Sequence, residues 1–118
     1  MMSISAVLFI SGCQDRQETA LFLEVALNSN KESVKVDEPF KLIIAVQYGE
    51  KEISRDTIVE VEFIENGISL GSVNPSYLGK GKYELEMKFI SEGEHMVVAH
   101  VEYEDYYETR FLSFLVIE

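Results

Sequence analysis

Three kinds of side chain in this sequence could do chemistry: one thiol, two imidazoles with a methionine beside them, and several closely spaced carboxylates. The thiol, Cys13, is the only cysteine in the chain, so it is free to be a nucleophile, a soft-metal ligand or an attachment point but cannot form an internal disulfide. His95, Met96 and His100 are the residue types that hold copper and other soft ions. Their spacing argues against a shared ion. On a strand, His95 points to the face opposite Met96 and His100, and the four-residue step from Met96 to His100 spans about 13 Å at ~3.3 Å per residue. His95 then begins a core row as a buried, satisfied histidine, and His100 is exposed. Met87 belongs to a core-facing row, where methionine is packing filler.

The carboxylates read similarly. Glu60 with Glu62, Glu84 with Glu86, and Glu102, Glu104 and Asp105 lack the ring of oxygen donors around one turn that calcium requires. Solvated outer faces account for them, and exposed charge also protects sheet edges from aggregation. No serine or cysteine nucleophile sits near a base motif, and neither histidine has an evident acid partner. Gly79 and Gly81 in "YLGKGKY" precede a strand rather than a helix, so they form no phosphate loop. The expectation is a protein that is not an enzyme and needs no cofactor.

Covalent attachment suits Cys13 best. Residues 4–11, "ISAVLFIS", are apolar or small, nothing in the first 14 residues is charged, and the run ends in Ile10, Ser11, Gly12 and Cys13. This resembles the lipobox of bacterial lipoproteins, where small residues let the signal peptidase grip an extended backbone and the thiol takes a diacylglyceryl group. The reading makes 1–12 a lipoprotein signal peptide, 13–19 the lipidated cysteine with a short polar tether, "QDRQET", and 20–118 the folded domain. The alternatives are a first strand with a buried cysteine or a membrane span. A span fails on length, because about 13 residues at ~1.5 Å each cover some two-thirds of a hydrocarbon core. The basic residues that open most signal peptides are missing, and the doubled methionine suggests a true start upstream. Lipid on Cys13 places the domain on the extracytoplasmic face of the cell membrane, with two or more acyl chains sufficient for stable anchoring.

Elements must be found to position the rest. A chain of 118 residues suits one domain with one core. Its 10 Lys+Arg against 21 Asp+Glu give a net charge of -11, which repels phosphate backbones and excludes nucleic acid as a partner. In "KYELEMKF", Tyr83, Leu85, Met87 and Phe89 alternate with Lys82, Glu84, Glu86 and Lys88, a half-buried strand. "TIVEVEF" sends Val59, Val61 and Phe63 inward against Glu60 and Glu62, and Asn66-Gly67 then turns the chain into "ISLGSV". Further strands are expected at 20–27, 33–36, 39–48, 95–103 and 107–117, separated by segments with turn chemistry. A helical stripe over 16–27 is a weaker alternative to the first strand. Seven or eight short strands in about 100 residues predict an all-β, immunoglobulin-like antiparallel sandwich. In the loop "EYEDYYE", Tyr103, Tyr106 and Tyr107 either present a binding surface or alternate into the core and over the sheet edge; packing favours the second.

Gly81-Lys82-Tyr83, then Phe89, Gly93 and His100-Val101, is similar to the order of glycine, aromatic, apolar strand, glycine and late His-Val in YtkA-like, or FixH-like, extracytoplasmic domains. The resemblance spans 20–118. It implies an immunoglobulin-like sandwich, often carried on a bacterial lipoprotein, and an association with copper handling or oxidase accessory roles. Some members carry a methionine and histidine cluster after the His-Val strand. Here that stretch is "EYEDYYETR", with neither type. The functional expectation is thus a lipid-anchored binding or accessory domain with an envelope protein as partner. A copper-binding accessory protein and a purely structural envelope module are the alternatives.

Overall fold

The computed structural model describes residues 22–51, 53 and 57–118. The expected signal peptide, Cys13 and the tether lie outside the described residues. Alternation of apolar and polar side chains produces eight strands: β1 Leu23–Ser29, β2 Phe40–Tyr48, β3 Ile58–Glu65, β4 Ile68–Val73, β5 Ser76–Gly79, β6 Lys82–Met87, β7 Gly93–Tyr103 and β8 Tyr106–Val116. They form two four-stranded sheets, ordered β1-β2-β6-β5 and β4-β3-β7-β8, with every ladder antiparallel. The expected immunoglobulin-like sandwich is present.

The inward rows meet between the sheets. Leu42, Ile44, Val61, Val97, Ala99 and Val101 are wholly buried, and Phe63, Leu85 and Met87 pack against that core from its margin. Near one end Phe40, Phe89 and Phe114 form a triangle of tilted rings with centroids 5.3 to 5.4 Å apart, a separation at which aromatic pairs attract beyond their buried area. At the other end Tyr48 packs on Tyr103 and Tyr106, at 5.2 and 5.0 Å. Hydrogen bonding to Tyr106, with burial added, pushes the Tyr48 hydroxyl up to about 12. Tyr103 and Tyr106 are therefore folded over the sandwich end, as packing favoured, whereas Tyr107 is 59% exposed on the outer face.

Two expected elements differ. Residues 33–36 form no strand: Val34 is plugged into the core, but only Lys35 bridges, to Ile117, before Asp37 takes φ 65° and turns the chain. Conversely, β5 lies in "NPSYLGKG", whose proline and glycines read as turn. It pairs with β6 through a bulge between Tyr77 and Gly79, which breaks the alternation that would have marked it.

Candidate functional site

The two outer faces of the sandwich differ in chemistry. On the β1-β2-β6-β5 sheet the outward rows carry Glu24, Ala26 and Asn28, then Lys41, Ile43, Ala45 and Gln47, then Lys82, Glu84 and Glu86. Small side chains and balanced charge dominate, although Phe22 and Leu78 at its edges are 59% and 57% exposed, and Lys41 pairs with Glu84 at 3.2 Å. This is an ordinary solvated face.

The β4-β3-β7-β8 sheet is unlike it. Its outward rows are Ile58, Glu60, Glu62 and Ile64 on β3, and Glu94, Met96, Val98, His100 and Glu102 on β7. On β8 they are Tyr107, Thr109, Phe111, Ser113 and Leu115. These three rows hold four carboxylates and no lysine or arginine. They also leave large apolar side chains in water: Leu115 is 70% exposed, Phe111 63%, Tyr107 59% and Ile58 51%. Register joins part of them into one patch, because Val98 stands beside Phe111 and Met96 beside Ser113, with Ile64 on the far side of Met96, whereas Ile58 and Tyr107 flank Glu102.

A hydrogen-bonded relay crosses this face through all four strands. Ser69 of β4 donates to Glu62 Oε2 at 2.7 Å; Glu62 Oε1 lies 2.8 Å from His100 Nε2; His100 Nδ1 lies 2.7 Å from the Tyr107 hydroxyl. The Ser69 hydroxyl, and after it the His100 ring, holds the Glu62 carboxyl below its ordinary value. Sequence reasoning gave His100 no acid partner and an exposed position. The structure supplies Glu62, 38 residues away, and leaves the ring only 27% exposed. The pairing is diagonal, since the residue directly opposite His100 is Glu60, and such a contact depends on a register that one strand's sequence does not contain.

The relay orders side chains across the face. Both ring nitrogens of His100 are engaged, the terminal serine touches the carboxylate rather than the imidazole, and the surrounding groove of about 290 Å³, lined by Ile58, Glu60, His100, Glu102 and Tyr107, is open to water. His95 faces the interior as expected, buried against Phe89, with Nε2 2.9 Å from the Ser91 carbonyl oxygen. Among the described residues, no three His, Cys, Asp or Glu side chains are placed to hold one ion. Nor is any helix among them long and apolar enough to cross a membrane.

No family model matches the chain, and no curated protein matches it. Among solved structures it resembles the endo-beta-1,4-mannanase from Thermotoga petrophila, at 12% identity and TM-score 0.66 over 88% of this chain. An engineered protein matches at 15% identity and TM-score 0.63 over 82%. The chain spans only 22% and 20% of those two proteins. The PmoD soluble domain from Methylocystis sp. strain Rockwell matches at 12% identity and TM-score 0.51, over 85% of this chain and 94% of that domain. At such identities the likeness is one of fold: a small antiparallel sandwich that makes up nearly all of one of these structures and about a fifth of each of the other two.

Proposed function

We propose that this protein is a lipid-anchored extracytoplasmic domain that binds an envelope protein and performs no catalysis. The observation that carries the reading is the contrast between its two outer faces. Scattered exposed apolar residues are ordinary on a soluble protein, but a contiguous patch on one sheet marks an interaction site. Four carboxylates without a cation beside that patch select a partner surface that is apolar and basic. The relay from Ser69 to Tyr107 keeps the polar half of the face in one arrangement, which lowers the ordering cost of binding. Support for the anchor comes from the sequence, in the small residues leading to Cys13, and from the resemblance to YtkA-like domains.

The test is photo-crosslinking in the cell from a reactive residue placed at Met96, with the same residue at Ala26 on the opposite sheet as control. A single discrete envelope-protein adduct from position 96 that is absent from position 26 is expected. Equal labelling from both positions, or none from position 96, overturns the binding reading. Mass spectrometry of the membrane-extracted chain checks the anchor separately: loss of residues 1–12 with added acyl mass is expected, and an intact Met1 with a free thiol overturns it.

A further inference from the structure

Strand β8 is 11 residues long and forms one edge of its sheet. Among the described residues β1 of the facing sheet packs close to β8, but the only strand hydrogen-bonded to β8 is β7; just past its end Ile117 bridges Lys35, and Ile117 O accepts from Val36 N at 2.9 Å. Among those residues, no strand pairs with the outward backbone of β8 from Tyr106 to Leu115. Long apolar edges invite pairing, and proteins protect them with charge. Here the protection consists of one residue of each sign, Glu108 and Arg110, placed symmetrically about Thr109.

We infer that two copies of this chain pair through β8, antiparallel and centred on Thr109. The register follows from three constraints. First, the two-residue turn at Glu104 and Asp105 makes Tyr103 and Tyr106 a hydrogen-bonded pair, so that alternation turns the even-numbered backbone groups of β8 toward β7 and the odd-numbered ones outward. Arg110 agrees with this, because its Nη1 reaches the outward Thr109 carbonyl at 2.6 Å. A partner strand must therefore meet odd residues with odd residues. Second, charge selects among the registers that remain. Centring on Glu108 or on Arg110 sets like charges face to face, and centring on Phe111 sets both charges against apolar side chains.

Centring on Thr109 instead opposes Glu108 to the other copy's Arg110, twice, as a two-fold interface requires. Third, the same register puts Tyr107 against Phe111 on the outer face, twice, and Thr109 against Thr109. Aromatic, threonine and opposite-charge pairs are the cross-strand pairs that stabilise sheets. In the single chain Arg110 spends its guanidinium on Glu108, at 2.8 Å, and on the Thr109 carbonyl. Pairing hands both contacts to the second copy and joins the two outer faces into one eight-stranded surface.

Sedimentation equilibrium of the full chain, in density-matched detergent that retains any acyl groups, tests this. The wild-type chain is expected to dimerise, and E108R or R110E alone to weaken self-association roughly 10- to 100-fold by opposing like charges twice. Mixing the two weakened variants is expected to restore dimer, since both arginines of the E108R copy then face the two glutamates of the R110E copy. The swapped double variant E108R/R110E dimerises on its own and shows that the strand tolerates both changes. A monomeric wild type, single variants that dimerise as well as wild type, or a mixture that stays monomeric overturns the proposal.

Discussion

Glu62 accepts a hydrogen bond from Ser69 on one oxygen and faces the His100 ring with the other. Both contacts favour the ionised form, so the folded protein binds the proton less readily than the unfolded chain, whose carboxyl titrates near 4.5. The stabilisation is then complete above that range and is lost as pH falls through the lowered folded value. Glu62→Gln is expected to melt below wild type at neutral pH, and the gap between them to close in acid. Thermal melts of both proteins across the acid range check this; a gap that stays constant with pH would show that the carboxylate charge is not what matters. At this scale the sequence was partly legible. The burial of His95 followed from its parity on the strand, whereas the partner of His100 required knowing which residue of β3 stands diagonal to it.

Strand pairing imposes its own demands on particular positions. Gly81 sits at φ +76°, and a β-carbon there would collide with the Val46 carbonyl oxygen, while Gly81 O accepts from Val46 N at 2.8 Å. Gly81→Ala must therefore move the junction of β2 and β6, and is expected to cost about 2 to 4 kcal/mol in urea unfolding. Alanine at Gly67, which has open space around it, pays only for its positive φ. The β3–β4 and β7–β8 hairpins were visible in the sequence, since each joins strongly alternating rows across a two-residue turn. Residues 33–36 and 76–79 were not: the first alternates without finding a ladder, and the second forms a ladder through a bulge that hides the alternation.

For the molecule as a whole, the distribution of aromatic rings separates what holds the fold from what is left for partners. Phe40 is 2% exposed within the ring triangle, and Phe111 is 63% exposed on the outer face. Phe40→Ala is expected to cost about 3 to 5 kcal/mol through lost transfer energy and an unfilled cavity. Phe111→Ala should stay within ~0.5 kcal/mol for the dilute, unassociated chain. Chemical denaturation at low protein concentration checks both; a large loss at Phe111 would make the outer face part of the core's support rather than a surface held for binding.

The first strand begins beside the tyrosine cluster, because Leu23 is paired with Tyr48, and Tyr48 packs on the hairpin residues Tyr103 and Tyr106. The described chain thus begins at the hairpin end, near Thr109 rather than far from it. In the antiparallel pair the two exits are separated along the strands by only about 20 Å at ~3.4 Å per residue, within reach of tethers that can each span up to about 30 Å. In the proposed lipid-anchored pair, the two exits stand at equal height above one leaflet when the dyad lies along the bilayer normal. In that orientation the strands of the proposed anchored pair would run parallel to the membrane plane, with one broad face toward the lipid and the other away from it.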